Sequence, residues 1–444
     1  MEMIMISNFY SDSLGKEFQF IMDNENDNNN AFTIIVGKNG VGKSRLLNDV
    51  INAHLSNKKE SVKSAFPTKI IAVSTSVFDR FPLLNRPRAS TSISNHFYVY
   101  SGVRSQFGSG VMKLINSVGG ALVNNFLNSI ETDRENTAQI FNFLEFKDEF
   151  SLAFRIHHYR IKNLMEQLNE NNDEVIRLGG LVELVWSRKE AEEMIVCLEE
   201  ISNYFLFSDV FEKRSDIRWI LDFDNSKKKC SVKGVEVEDV ILTKLLKLVN
   251  LNIVSIFDVN ILKKKIGSVS LKRASSGEQC MFSTLFSIAG SIKDGALVVI
   301  DEPEISLHPE WQEKYIEILS EVFSHYQGCH FIIASHSPQI ISRLKSKNSY
   351  VLSLHLNKLF NAEHFVKKSS DFLLAEIFDS PGYKNEYITR VALNVFAKVK
   401  SKKIFDHDDV IAINKLKEFK VYLEKEDPVY ELITSLEEMY DFYS

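Results

Sequence analysis

Residues 37–44 read GKNGVGKS, and this glycine-rich stretch constrains the fold more than any other part of the chain. It follows the continuous β-branched run AFTIIV, which predicts a buried strand, and it precedes SRLLNDVINAHL, whose apolar periodicity predicts a helix. The stretch fits the pattern G-x-x-x-x-G-K-[S/T] in the strand–loop–helix context that gives the pattern its meaning. We therefore predict a phosphate-binding loop inside an α/β domain.

Each residue type in this loop has a chemical reason. Glycines let the backbone curl so that successive N–H groups point at phosphate oxygens. Lys43 offers a cation to the β and γ phosphates, and Ser44 offers a hydroxyl to Mg²⁺. The alternative is an ordinary glycine-rich turn, which the complete match in context makes less attractive. The predicted cofactor-binding residues of the loop are Gly37, Asn39, Gly40, Gly42, Lys43 and Ser44.

A second stretch, VVIDEPEISLHPEW (298–311), ends an apolar run in two adjacent acids. Beside a phosphate loop, Asp301 at a strand tip would hold Mg²⁺ together with Ser44. Glu302 would polarise the water that attacks the γ-phosphate, a role that an acid coordinating a cation fills poorly. The alternative is a cap for the following helix, which acids commonly provide. With GKNGVGKS upstream, we predict Asp301 as metal ligand and Glu302 as catalytic base.

Two further stretches carry weaker signals. ASSGEQ (274–279) precedes an apolar helical run, so Ser275 and Gly277 form an anion-ready helix start, although Ser-Ser-Gly is a common loop. IIASHSPQII (332–341) places His336 at a strand tip, where it could contact a γ-phosphate; a lone histidine there is more often structural. Each stretch alone predicts little.

Taken in chain order, these four motifs resemble the ATP-binding-cassette superfamily: Walker A, signature, Walker B with catalytic glutamate, and switch histidine. The resemblance covers roughly residues 1–100 and 266–355 and implies an α/β ATPase head that uses ATP and Mg²⁺. It implies that Ser275 and Gly277 act on the nucleotide held by a second subunit, so that two chains sandwich two ATP molecules. His336 would be the switch histidine and act with Glu302 in catalysis.

Within the superfamily, SSGEQ is similar to the chromosome-maintenance and DNA-repair branch. DEPEISLHPEW and ASHSP resemble the overcoming-lysogenisation-defect-type ATPases of anti-phage systems. Together with SSDFLLAEIFDSPGYKNEY (369–387), they look most like the Septu-type ATPases called PtuA, some of them retron-associated. That resemblance implies a dimeric or larger ATPase, slow or regulated, that holds a separate HNH-type nuclease. DNA or a retron RNA/DNA would be a further partner.

The sequence departs from the superfamily at several positions. The signature has Ser276 where glycine is usual and Ala274 where leucine is usual. No glutamine follows the strand KIIAVST, where Ser76, Asp79 or the remote Gln106 are the substitutes to consider. For adenine stacking the neighbours are Phe9 and Tyr10, although core packing suits either of them better.

The pattern predicts an α/β, ABC-type ATPase head with a large helical insertion and a helical C-terminal segment. The predicted boundaries are 1–105 for the first part of the head, 106–265 for a mainly helical insertion with a hairpin near 217–237, 266–360 for the second part, and 361–444 for the helical segment. Basic runs at 227–230, 262–267 and 398–405 are more often solvated faces than nucleic-acid contacts.

Composition limits the remaining classes. With 53 basic and 59 acidic residues the net charge is −6, which predicts no general affinity for nucleic acid. Four dispersed cysteines without a CxxC pair fit a reducing cytoplasm, and no run is long enough to span a membrane. DHDD (406–409) is too isolated for a nuclease, so we expect no intrinsic cleavage. The competing hypotheses are a DNA-repair or chromosome-associated ATPase without a nuclease partner, a transport-energising subunit, and a non-catalytic scaffold.

Overall fold

The computed structural model describes residues 5–22, 29–56, 66–76, 79–83, 97–102, 110–127, 131–170, 175–178, 184–205, 216–344 and 347–443. The strands are β1 (Asn8–Ser11), β2 (Lys16–Gln19), β3 (Ala31–Val36), β4 (Lys69–Ser74), β5 (Tyr98–Gly102), β6 (Phe146–Ile156), β7 (Val175–Leu178), β8 (Leu184–Ser187), β9 (Ile217–Asp224), β10 (Lys229–Val232), β11 (Val235–Glu236), β12 (Val254–Lys263), β13 (Gly267–Ser270), β14 (Ala296–Asp301), β15 (His330–Ala334), β16 (Ser349–Ser353) and β17 (Lys358–Asn361).

The helices are α1 (Lys43–Leu55), α2 (Gly110–Leu127), α3 (Glu131–Phe143), α4 (His158–Glu170), α5 (Arg188–Tyr204), α6 (Asp239–Asn250), α7 (Ser276–Ala289), α8 (Pro309–Val322), α9 (Pro338–Ser342), α10 (Ser370–Glu376), α11 (Glu386–Lys402), α12 (His407–Lys420) and α13 (Pro428–Tyr443). Short 3₁₀ turns occupy Leu271–Arg273 and Ala362–His364. The strand and helix predicted on either side of GKNGVGKS are β3 and α1.

A seven-stranded sheet in the order β17-β16-β3-β15-β14-β4-β5 forms the centre of the molecule. Its neighbours are parallel except for the β16–β17 pair. The strands β3, β14, β15 and β16 are buried along their whole length, as parallel strands covered on both faces should be. Because β3, β15 and β14 are neighbours and point the same way, the segments that follow them meet at one edge of the sheet.

Two hydrophobic cores cover the two faces of this sheet. On one face, α1 and the β1–β2 hairpin pack through Leu46 and Val50 against Ile35 and Ile332. On the other face a larger core joins Ile34 and its neighbours to α7, α8 and the helices of the segment 106–265. The sheet is therefore a rigid, dry platform for whatever its carboxyl edge holds.

A second, six-stranded antiparallel sheet has the order β11-β10-β9-β6-β12-β13. The predicted hairpin near 217–237 is confirmed as the β9–β10 pair. The rest of the sheet was missed: the segment 106–265, predicted as mainly helical, contains α2–α6 but also the long central strands β6 and β12. The predicted boundary after residue 265 falls inside the β12–β13 hairpin. We keep the division into four parts as a proposal.

The helical C-terminal segment is confirmed. Its helices α11, α12 and α13 build a small core of their own, to which Val395, Ile413 and Ile433 contribute. The mixed α/β class with a helical end is thus confirmed as well. All four cysteines are free and buried. Among the described helices, none combines the length and the apolar character needed to cross a bilayer.

Candidate functional site

The loop 37–44, predicted to bind phosphate and called the phosphate loop below, depends on glycine at three positions. Gly37, Gly40 and Gly42 have positive φ angles of 154°, 82° and 109°, which side chains with a Cβ rarely adopt. A Cβ on Gly42 would lie 2.6 Å from a methyl carbon of Leu14 in the neighbouring hairpin turn. The loop therefore keeps its curl only with this glycine pattern, and the helix α1 begins directly behind it at Lys43.

Lys43 is the buried cation of the site, with only 5% of its surface exposed. Its ammonium group donates hydrogen bonds to the carbonyl oxygens of Gly37 (3.0 Å) and Lys38 (3.4 Å) and to Nε2 of His336. Burial lowers the pKa of Lys43 to about 8, although neighbouring carboxylates, first that of Glu302, act in the opposite direction. A buried cation beside the backbone N–H groups of a glycine-rich loop is a strong anion receptor.

Asp301 ends β14 directly beside the start of α1. The hydroxyl of Ser44 donates to its carboxylate at 3.1 Å. Burial raises the pKa of Asp301 to about 7, and the neighbouring charges of Glu302 and Asp79 act in the same direction. The ionised form of this buried carboxylate is costly, and a bound cation would stabilise it. Together with the Ser44 hydroxyl it offers two oxygen ligands of the kind that Mg²⁺ prefers. The residues present therefore fit the predicted metal.

Glu302 is held in a strained backbone conformation. Its φ angle is 50°, and its N–H donates to the carbonyl of Ala334 (3.0 Å) while its carbonyl accepts from the hydroxyl of Thr75 (2.6 Å). A non-glycine residue in this region costs about 1–2 kcal/mol and persists where surrounding bonds impose it, commonly at functional sites. These two bonds hold the backbone of Glu302 at the end of β14, and 28% of its side chain is exposed.

His336 lies between the cation and the acid. Its Nε2 receives the Lys43 ammonium and lies 3.8 Å from a carboxylate oxygen of Glu302. Burial, and then the charge of Lys43, lower the pKa of His336 to about 4. The imidazole is therefore neutral near pH 7 and accepts a hydrogen bond from the lysine.

Glu304 is a further residue of the candidate site, which the sequence analysis missed. Its two carboxylate oxygens accept hydrogen bonds from the backbone N–H of His336 (2.5 Å) and from the hydroxyl of Ser335 (3.0 Å). Burial raises the pKa of Glu304, although these hydrogen bonds act in the opposite direction. The signal was present as the third acid of DEPE, spaced to fold back onto the next strand tip. Glu304 thus fixes the loop that carries His336.

The structure brings the phosphate loop, the two acids and His336 together, but it does not bring Ser275 to them. Ser275 is exposed and caps α7, where its hydroxyl and N–H share Glu278 in a capping box. Glu278 also receives Lys263 at 2.7 Å. Among the described residues, no hydrogen bond or ion pair joins Ser275 to the phosphate loop. Gly277 approaches the loop behind Glu302 closely, since a Cβ there would lie 3.1 Å from the Ser306 carbonyl oxygen.

The structure also separates the weaker candidates. Asp79 is buried, receives the Tyr100 hydroxyl at 2.6 Å and is close enough to Asp301 to raise its pKa. Ser76 exchanges hydrogen bonds with Ser74, and Gln106 lies outside the described residues. Phe9 is only 2% exposed, as core packing requires, whereas 47% of Tyr10 is exposed.

The isolated acids of DHDD have a local role. Asp406 caps α12 in a reciprocal capping box with Asp409, and Lys398 forms ion pairs with both at 2.5 and 2.9 Å. In the part of the chain that the structure describes, no group of three or more His, Cys, Asp or Glu side chains has the arrangement of a metal site. The acids of DHDD therefore stabilise a helix end.

Comparisons with known proteins agree with an ATPase site. A family model described as "AAA domain, putative AbiEii toxin, Type IV TA system" matches residues 205–342. "Retron Ec83 probable ATPase" of Escherichia coli is 25% identical over 365 residues, 72% of this chain and 66% of the relative. "Retron Vc95 probable ATPase" of Vibrio cholerae is 26% identical over 30% of this chain and 28% of the relative. The chain thus spans less than two thirds of the length of either relative.

Among solved structures, the "SMC head domain from Thermotoga maritima" aligns with 34% of this chain and 68% of its own at 14% identity. The TM-score of 0.19 is too low for that likeness to support an inference. The family match and the two relatives lead to a limited conclusion. Residues 205–342 match the AAA-domain family model, and the chain is similar, at low identity, to two proteins named as probable ATPases of retrons.

Proposed function

We propose that this chain binds ATP with Mg²⁺ at the carboxyl edge of the seven-stranded sheet and hydrolyses it. The observation that carries the proposal is the convergence of Lys43, the adjacent acids Asp301 and Glu302, and His336, from three separate segments of the chain, at one edge of the sheet. Phosphate oxygens would replace the loop carbonyls as partners of Lys43. Ser44 and Asp301 would hold Mg²⁺, which neutralises charge on the phosphates.

Three residues of the chain have distinct roles in the proposed hydrolysis. Glu302, partly exposed and aimed by its strained backbone, accepts the proton of the attacking water. Neutral His336 accepts a hydrogen bond from Lys43 and lies where it would contact the γ-phosphate. Glu304 holds the His336 loop in register. Turnover would be slow or regulated while this arrangement lacks the signature residues.

We propose further that the signature comes from a second copy, so that two chains enclose two nucleotides. The exposed position of Ser275 at the start of α7, without hydrogen bonds to its own phosphate loop, supports this. Such an interface is reciprocal: each phosphate loop meets the other chain's Ser275 and Gly277. Each site would then be incomplete in a monomer.

The biological role that we propose is anti-phage defence in the cytoplasm, in which the ATPase holds and regulates a separate HNH-type nuclease. The similarity to two retron ATPases supports a defence system. The identity of the nuclease rests on the resemblance of the DEPEISLHPEW, ASHSP and 369–387 segments to PtuA. Pull-down of the full chain from its host, followed by mass spectrometry, tests this part; recovery of the ATPase without a nuclease contradicts it.

A mixing experiment tests the shared site. Lys43→Ala removes the cation from one half of each site, and Ser275→Arg blocks the other half. Each variant alone should be inactive, yet a mixed dimer holds one intact site, so mixing should restore about a quarter of wild-type turnover. A mixture of Lys43→Ala with Glu302→Gln, which damage the same half, is the matched control and should stay inactive. Equal activity in both mixtures would exclude a shared site.

A further inference from the structure

The six-stranded sheet covers the core with one face and leaves the other face open. Along β9, buried Trp219 lies between Arg218 and Ile220, and 51% of the Ile220 side chain is exposed. The strand register places Arg218 opposite Arg155 of β6, and Arg155 opposite Ser255 of β12. Side chains at paired positions share a face, so this open face is continuous across three strands.

An aromatic ring lies on this face between two cations. The register of β12 against β6 shifts between Ile256 and Asp258, and Phe257 is the extra residue of this irregularity. The guanidinium carbon of Arg218 lies 5.6 Å from the centroid of the Phe257 ring, and the Lys272 ammonium lies 5.4 Å from it. Both distances are within the range of cation–π attraction. Three separate elements therefore build one cluster.

These cations differ from those of the basic runs seen in the sequence. Each of the three runs has a lysine paired with a nearby acid: Lys227 with Asp224, Lys263 with Glu278 and Lys398 with Asp406. Within the described ranges, Arg218 and Lys272 form no ion pair with a carboxylate. Arg155 is only loosely paired, 3.9 Å from Asp216. Positive charge that is not closely paired with a carboxylate is therefore concentrated on this face beside an aromatic ring.

We propose that Arg155, Arg218, Phe257 and Lys272, together called the aromatic–basic face, bind single-stranded nucleic acid. The Phe257 ring and the planar Arg218 guanidinium offer stacking surfaces for unpaired bases, and Lys272 and Arg155 supply charges for backbone phosphates. A duplex presents no unpaired base to the ring, and an acidic peptide would use the cations without the stacking. The combination of ring and unpaired cations therefore favours a single strand.

The position of this face relates it to the ATPase. Lys272 lies in the 3₁₀ turn Leu271–Arg273, which ends directly before Ala274 and the cap residue Ser275. A strand on the face would contact the turn that positions the signature. The proposal goes beyond the ATPase function. Binding of the single strand is measured without nucleotide, so a negative result would contradict this proposal and leave the proposed ATPase function unaffected.

The test is fluorescence anisotropy with a labelled, mixed-sequence single strand of about 16 nucleotides, a length that covers one binding platform. We expect binding at low salt, weaker binding of the same sequence as a duplex, and at least about fivefold weaker binding by Phe257→Ala, since stacking dominates. The double variant Arg155→Ala/Lys272→Ala should reduce the slope of log affinity against log salt by about 1.4, which corresponds to two phosphates.

Two further variants make the outcome decisive. Phe257→Trp keeps a stacking surface and should bind as the wild type does, which separates loss of stacking from loss of folding. Lys227→Ala removes one positive charge from a lysine that is already paired with Asp224, and it should leave binding unchanged. The proposal is overturned by absence of binding at low salt, by equal affinity for strand and duplex, or by unchanged affinity of Phe257→Ala. Equal competition by polyglutamate would overturn it in favour of an acidic protein partner.

Discussion

A carboxylate oxygen of Glu304 accepts the backbone N–H of His336 at 2.5 Å, and the other oxygen accepts the Ser335 hydroxyl at 3.0 Å. Two strand tips of the central sheet, β14 and β15, are thereby joined by one side chain. This side chain needs no contact with nucleotide to matter. It fixes the position of the His336 backbone, and therefore of the ring that contacts Lys43. Glu304 is thus a positioning residue.

Replacing Glu304 should therefore affect turnover more than nucleotide binding. Glu304→Ala frees the His336 loop, and misplacement of a catalytic group by about 1 Å can lower turnover by about 100-fold. Glu304→Gln keeps one acceptor oxygen and should retain more activity. Phosphate release at saturating ATP gives kcat, and equilibrium dialysis gives the affinity. Glu310→Gln, which changes an exposed acid on α8, should behave as wild type; an equal loss in this control would refute the positioning role.

Glu302→Gln should remove turnover and keep nucleotide binding. The amide preserves size and hydrogen bonding but cannot take the proton of the attacking water, a contribution worth about 100-fold or more. ATP should still raise the melting temperature of the variant, because ligand bound to the folded state stabilises it. Lys43→Ala is the contrasting variant: it should lose the ATP-dependent shift. Turnover by Glu302→Gln at the wild-type rate would show that another group is the base.

The parts of the site that were predictable from sequence are those with local signatures. The curl of the loop 37–44 was predictable because glycines that adopt positive φ recur there at a characteristic spacing. The strands β3 and β14 were predictable because each is a continuous apolar run. Glu304 was missed because its partner His336 is distant in sequence and the bond goes to backbone. The sheet containing β6 and β12 was missed because the alternation of both strands is interrupted: residues 152–154 of β6 are all buried, and the irregularity at Phe257 shifts the alternation of β12.

An aromatic contact should link the stability of the segment 106–265 to helix α7. Phe141 of α3 is fully buried, with its ring centroid 5.6 Å from that of Phe286 and 6.2 Å from that of Phe282, both on α7. Phe141→Ala leaves a cavity and should lower the free energy of unfolding by about 3–5 kcal/mol. Urea denaturation followed by fluorescence measures the change. Phe442→Ala, at a position 79% exposed, should change it by less than about 0.5 kcal/mol.

His330 at the start of β15 should make the protein sensitive to acid. Its Nδ1 accepts the N–H of Ile6 at 3.3 Å, so its Nε2 carries the proton and donates to the Thr33 hydroxyl at 3.0 Å, which in turn donates to the Phe20 carbonyl. Burial alone lowers the pKa of His330 to about 3. The unfolded chain therefore takes up a proton near pH 6.5, and the folded chain does not until about pH 3.

Between those two pH values the unfolded state binds one more proton at this residue, so stability should fall on acidification by up to about 1.4 kcal/mol per pH unit. His330→Gln can keep both hydrogen bonds and has no proton to gain. The difference in unfolding free energy between wild type and this variant, measured by urea denaturation from pH 7 down to about pH 5, isolates His330 from the other histidines with lowered pKa. Parallel pH profiles for the two proteins would mean that His330 is charged in the folded state or already neutral in the unfolded one.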